Sequence, residues 1–265
     1  MPLADRFWLA ASAAPAISLT DAFSYSLAAG LAWLTFYVLL KRTLAHRKIM
    51  PKFPTRRQLG RELLYSLRSL LVFGLSGAFV VFAGHSGWTK FYLRIDQRGY
   101  VWFFVSIALT IVLHDAYFYW THRLMHHPRL FRRLHRVHHL STSPSPWAAY
   151  SFSTLEAAVQ AGIAPLAVML IPLHPTAFAL FMVWQISFNV LGHCGYEIFP
   201  QWFLDTWPGK FLNTPTHHAM HHECFRTNFG LYFNVWDRLL GTNHPRYAQR
   251  FAAVSAPRAA KAAGS

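Results

Sequence analysis

Apolar residues run on for longer than a soluble core needs at several places along this chain. Ala22–Leu40 (AFSYSLAAGLAWLTFYVLL) carries no charge. Its roughly 19 residues, at about 1.5 Å each, reach about 28 Å, the depth of a bilayer's hydrocarbon core. Leu63–Gly84 is a second run, with Arg68 near one end where a long side chain reaches the interface. Tyr100–Trp120 is a third and carries His114 and Asp115 in its last third. Leu155–Ile171 and Thr176–Leu191 are shorter and are joined by the breaker PLHP at 172–175, so they predict a helical hairpin. A further apolar run within residues 1–20, FWLAASAAPAISL, predicts a separate segment lying at the interface rather than a signal peptide. Residues 251–265, small and polar from Ala252 onward, predict a disordered tail.

Charge orients these spans. The 265 residues are 54% hydrophobic and only 13% charged, yet the net charge is +15. In a polar protein that charge would point to nucleic acid; here it reads as cationic loops flanking membrane spans, and no nucleic-acid partner is expected. Lys41, Arg42, Arg47, Lys48, Lys52, Arg56, Arg57 and Arg61 lie between the first and second spans, against Lys90, Arg94 and Arg98 between the second and third. The positive-inside rule then places the 41–62 loop, residues 121–154 and the C-terminal third in the cytoplasm. The two cysteines, Cys194 and Cys224, form no CxxC pair, which excludes a disulfide framework and an all-thiolate zinc site.

The chemistry lies in the histidines of that cytoplasmic side. His122 and His126 are four apart, while His135, His138 and His139 share the spacing i, i+3, i+4 with His218, His221 and His222. Residues so spaced share a helix face. A wheel over 129–139 puts the three imidazoles on one arc, Arg129, Arg132, Arg133 and Arg136 on the next, and Leu130, Leu134 and Val137 on the third. That predicts one surface helix, started by Pro128, with the arginines helping to keep the imidazoles unprotonated. So many nitrogens exceed what one tetrahedral ion takes, and two metals account for the count better. Along the last span Gln185, Asn189, His193 and Glu197 form a polar stripe, of which His193 and Glu197 are placed to reach the metals. Imidazole suits iron, zinc and copper alike, so composition leaves the metal open. His127 and His217 fall outside the shared spacing, and His46, His85, His174 and His244 stand alone. The fold class predicted is all-α: multi-pass transmembrane helices under a cytoplasmic, histidine-rich helical cap that holds a dimetal site.

DAYFYWTHRLMHH, LHRVHH and THHAMHH, followed by NFGLYFNVWDRLLGT, together resemble the fatty acid hydroxylase and sterol desaturase superfamily of membrane di-iron enzymes. The resemblance spans roughly residues 110–243. The apolar runs predict N-terminal membrane helices and a basic loop over 1–110, and the resemblance implies a di-iron domain over 111–250. It implies two iron ions held by His122, His126, His135, His138, His139, His193, His218, His221 and His222. Many relatives carry a second histidine four residues after the one matched by His193; this chain has Glu197, which is therefore expected either to ligate or to leave one shell looser. Asp115, Asp237 and Asn189 are expected to orient ligands. The implied reaction is hydroxylation or desaturation of a lipid with dioxygen. The chain has no haem, dinucleotide or iron–sulfur motif, so electrons are expected from an external reductase or ferredoxin-like carrier. No catalytic residue beyond the ligands is implied. Two other classes compete: a membrane zinc hydrolase, for which Glu223 is the only obvious general base, and a non-catalytic metal transporter, whose ligands belong at mid-membrane.

Overall fold

A computed structural model of the chain describes residues 1–257 and is helical, with only two isolated β-bridges among the described residues. The first helix, α1 (Leu3–Trp33), continues through π turns over Leu34–Leu39. The apolar run of residues 1–20 is thus part of the first span, not a separate segment. Pro15 removes a single backbone donor inside the helix, which Ala-rich flanks absorb. α2 (Arg56–His85) starts on Thr55, whose side chain accepts from the Gln58 N–H. It crosses α1 closely: a Cβ on Gly74 would meet Ser18 Oγ at 1.8 Å and the Ala14 carbonyl at 2.9 Å. Small residues at such crossings let backbones approach in lipid. On the other side of α2, Leu67, Leu71 and Leu75 are each more than 60% exposed, an apolar stripe that fits lipid rather than water.

α3 (Gly99–Met125) runs back toward the histidine-rich segment. The single helix expected over 129–139 is broken into α4 (Pro128–Leu134) and α5 (Arg136–His139), with His135 at the joint (φ −113°, ψ −11°). Pro128 opens α4 as expected. The run 155–171 is likewise two pieces, α6 (Thr154–Ala161) and α7 (Ile163–Leu170), because Pro165 has no N–H for the Ala161 carbonyl, which accepts from Ser76 Oγ at 3.0 Å instead; the Tyr117 hydroxyl donates to the Val159 carbonyl at 2.6 Å beside the break. α8 (Pro175–Gly192) completes the hairpin, whose turn bonds to the connection between α2 and α3: Tyr92 N–H donates to the Leu173 carbonyl at 3.1 Å. The hairpin therefore reaches the end opposite the histidines. Four helices among the described residues are long and apolar enough to cross a membrane: Leu3–Leu39, Arg56–His85, Gly99–Met125 and Pro175–Gly192.

The cap is built from α9 (Trp207–Phe211), α10 (Pro215–Cys224), α11 (Val235–Leu239) and α12 (Tyr247–Ser255), with α4 and α5. The expected disordered tail is helical from Phe251 to Ser255: Phe251, Val254 and Ser255 are buried, and Val254 packs with Ile49, Met50 and Ala219. The remainder of that tail, 258–265, lies outside the described residues. Arg47 ties the cap to the spans, donating to the Phe199 carbonyl at 2.9 Å and the Ser255 carbonyl at 3.4 Å. The end of α1, the start of α2 and the ends of α3 and α8 thus all meet the cap on one face.

Candidate metal centre

The last turns of α3, the α4–α5 joint, the end of α8 and the body of α10 deliver nine imidazoles to one place. They sort into two groups: His122, His126, His135, His139 and His221 in one, His138, His193, His218 and His222 in the other. Within each group the candidate ligand atoms lie within 4.8 Å of one another. All nine histidines expected from the spacing and the resemblance are present, and none of the other seven joins them. The sharing of faces differs from the wheel: adjacent His138 and His139 point into different groups, since neighbours on a helix diverge by about 100°.

Tautomers give the arrangement its meaning. His122 Nδ1–H donates to the Phe229 carbonyl at 2.8 Å, His221 Nδ1–H to Thr227 at 2.7 Å and His193 Nδ1–H to Asn189 at 2.8 Å. A carbonyl only accepts, so each of these rings turns an Nε2 lone pair inward. Inside, Nε2 meets Nε2: His122–His135 at 2.9 Å, His221–His139 at 3.1 Å, His193–His218 at 2.9 Å and His193–His138 at 3.2 Å. Converging lone pairs without protons to share need a cation. Nitrogens bound at about 2.0–2.1 Å to one first-row ion stand roughly 3 Å apart, as these do. The donor set therefore fits two metal ions.

Burial keeps these nitrogens available. It pushes His139 down to about 3 and His193 to about 4, and lowers His126, His135, His138, His218, His221 and His222, with neighbouring imidazoles adding to the effect. Neutral imidazole is the form that ligates.

The outer contacts come from Glu156, which the sequence reading did not mark, and from Asp237, Asp115 and Asn189, which it did. Glu156 on α6, fully buried, lies 2.6 Å from His135 Nδ1 and is the only carboxylate in direct contact with either group among the described residues. Burial pushes its carboxyl well above the ordinary range; a cation among the neighbouring imidazoles would oppose that by attraction. A lone acid inside an apolar run was the signal available in the sequence. Asp237 accepts from the Phe229 and Gly230 N–H groups at 2.9 and 2.7 Å, and so holds the strand of chain whose carbonyl orients His122. Asp115 does the same one step further on, accepting from Tyr232 and Phe233 N–H. Asn189 orients His193 through its backbone carbonyl while its side chain is anchored on the Ala149 carbonyl.

Glu197 stands outside both groups. Its oxygens accept from the Phe199 N–H at 3.0 Å and the Thr216 N–H at 3.1 Å, fixing the start of α10. His217 is buried and 3.5 Å from Asp237, His127 caps α4, and His114 bonds the Tyr232 hydroxyl at 2.8 Å, about two turns below the cap. Glu223 turns outward, its side chain 49% exposed and facing Arg250.

Comparison with known protein families matches residues 107–242 to the family described as fatty acid hydroxylase. Similar proteins include a Delta(7)-sterol 5(6)-desaturase of Gibberella zeae, 29% identical over 92% of this chain and 72% of its own length. Lathosterol oxidase of Rattus norvegicus is 28% identical over 81% of this chain and 70% of its own. A Delta(7)-sterol 5(6)-desaturase of Schizosaccharomyces pombe is 32% identical, over 82% and 61%. No solved structure matches the chain. The chain belongs to the fatty acid hydroxylase family, the one its histidine motifs resemble. It is an integral membrane oxidoreductase that acts in lipid metabolism.

Proposed function

We propose that this oxidoreductase is a di-iron desaturase of a sterol-type lipid, fed by dioxygen and by two electrons from an external carrier, with its cap in the cytoplasm. In balance, two neighbouring C–H bonds, dioxygen, two electrons and two protons give one carbon–carbon double bond and two waters. The observation that carries the reading is the position of the two histidine groups at the head of an apolar cavity. That cavity, of about 360 Å³, lies between α1, α2, α3 and the α6–α8 hairpin. Two of its wall residues touch the cage: the Phe118 ring is 4.9 Å from His122, and Phe152 is 5.2 Å from His138, one at each group.

Two iron ions in these groups would supply what no side chain here provides, a dioxygen-derived oxidant able to take hydrogen from an unactivated carbon. The chain's own residues position and exclude. The rings of Phe118 and Phe152 keep water from the reacting end, and the carbonyls of Phe229, Thr227 and Asn189 with the Glu156 carboxylate hold the imidazoles in one tautomer. Outside, Arg129, Arg132, Arg133 and Arg136 are exposed on the cap, a surface suited to an acidic electron carrier. The relatives named for Delta(7)-sterols and lathosterol support desaturation of a sterol. A zinc hydrolase lacks its base once Glu223 faces outward, and a transporter would need its ligands deeper than the ends of α3 and α8.

Purification without oxygen from iron-supplemented cells is expected to yield about two irons per chain. A Delta(7)-sterol, reductant and oxygen should then give a diene. His138→Ala and His221→Ala should each lose metal and turnover, while His244→Ala keeps both. One metal or none, or turnover surviving in the first two variants, would overturn the assignment; an alcohol product would convert it to a hydroxylase.

A further inference from the structure

The cavity wall holds a polar cluster that the metal chemistry does not use. Asp21 sits at the middle of the Leu3–Leu39 helix and faces the cavity, and among the described residues no side chain bonds to its carboxylate. A carboxylate at mid-membrane is costly and is kept where it meets a polar partner. Tyr150 lines the same cavity, and Gln185 Nε2 donates to its hydroxyl at 2.5 Å. That bond leaves the phenolic proton and the Gln185 Oε1 unspent. Tyr25, one turn above Asp21, stacks on Tyr150 with ring centroids 5.1 Å apart, which brings α1 and the Tyr150 loop together at this depth. Asp21, Tyr150 and Gln185 thus offer one free donor and two free acceptors to a largely apolar space; of the other polar wall residues Ser76, His114 and Asn189 are bonded elsewhere, and Gln160 Nε2 is a further unpartnered donor.

We propose that Asp21, Tyr150 and Gln185 form a hydroxyl-binding subsite that sets which carbon of the lipid meets the histidines. The inference rests on reading the cavity as the lipid site. Gln185 lies eight residues before His193 on α8, about 12 Å at about 1.5 Å per residue. The lipid's hydrogen-bonding oxygen and the carbon it loses hydrogen from are therefore separated by about that distance. A hydroxyl suits the cluster because it donates to a carboxylate and accepts from a phenol at once. In a sterol oxidised in its B ring the ring hydroxyl lies a few bonds from the reacting carbon, beside the histidines. The subsite then selects lipids that carry oxygen at the end far from the reacting carbon.

The test is equilibrium binding to the metal-loaded protein in nanodiscs, with two probe pairs: cholestanol against cholestane, and octadecanol against octadecane. Wild type is expected to prefer the alcohol of a pair by about tenfold, the size of one buried hydrogen-bond set. Asp21→Leu and Tyr150→Phe should reduce that preference to about threefold or less and leave the alkane affinity unchanged, which also reports that the variants are folded. Equal binding of alcohol and alkane by wild type would overturn the subsite without any variant. So would products in which the oxidised carbon keeps a fixed distance from the hydrocarbon end rather than from the hydroxyl. If the octadecyl pair shows the preference and no sterol binds, the subsite stands and the sterol reading falls. If a Delta(7)-sterol is desaturated while neither pair shows a preference, the reverse holds.

Discussion

At the scale of single residues, the cage is decided by which nitrogen of each imidazole carries the proton. Carbonyls at Phe229, Thr227 and Asn189 decide it for three rings, and Glu156 decides it for His135. The carboxylate adds charge to orientation, so Glu156→Gln keeps an acceptor in place but removes the anion. Outer partners of this kind are worth about 10–100-fold in metal affinity. Competition with a metal-binding dye is expected to show a loss in that range for the five-histidine group and little change for the four-histidine group. Equal weakening of both would mean that Glu156 merely holds α6 in place. Eight of the nine clustered histidines were legible in the sequence because helical spacing puts i, i+3 and i+4 together, and His193 through the polar stripe of the last span and the family resemblance. Their partition was not read there, although it follows from the same geometry: adjacent residues on a helix diverge by about 100°, which separates His138 from His139 and His221 from His222. Nor was Glu156, because its contact joins segments that only the fold brings together.

At the scale of elements, local breaks matter more than the long runs. The second and third spans and α8 follow the apolar pattern closely, because lipid forces every backbone group into the helix. The departures occur where one side chain outbids the helix. Pro165 leaves the Ala161 carbonyl to Ser76 Oγ where α6 parts from α7, and the chain at His135 turns so that its ring meets Glu156. Pro15 had the opposite history: a residue that reads as a break lies within a continuous α1. That helix is held to α2 at Gly74. Gly74→Val would drive a side chain into Ser18 and the Ala14 carbonyl, and backbone cannot yield as a flexible side chain can. Overpacking of this kind costs about 1–3 kcal/mol, and because α1 carries Asp21 it should also disturb the cavity. Thermal unfolding in detergent is expected to move down by several degrees, with metal content kept because no ligand lies on α1 or α2. An unchanged midpoint would mean that the two helices are free to slide apart.

At the scale of the whole molecule, the question is which side of the membrane the cap faces. The internal geometry fixes a relation: the cap gathers the end of α1, the start of α2 and the ends of α3 and α8, while the hairpin turn meets the α2–α3 connection at the other end. Lysine and arginine bear on the choice between the two orientations, since the cap side holds the 41–62 loop and the Arg129–Arg136 segment and the far side only Arg6, Lys90, Arg94 and Arg98. With the inner leaflet attracting about 1 kcal/mol per basic residue near the surface, this asymmetry supports the cytoplasmic orientation proposed above. Gln97 and Arg129 are exposed on opposite sides and make the test direct. In a Cys224→Ser background, with Cys194 fully buried, a membrane-impermeant maleimide should label Gln97→Cys in intact cells and Arg129→Cys only after permeabilisation. The opposite pattern would put the cap outside, away from cytoplasmic electron carriers, and the proposed donor would have to be replaced by an external one. Labelling of both from one side would break the four-span arrangement itself, and with it the placement of the cavity beneath the histidines.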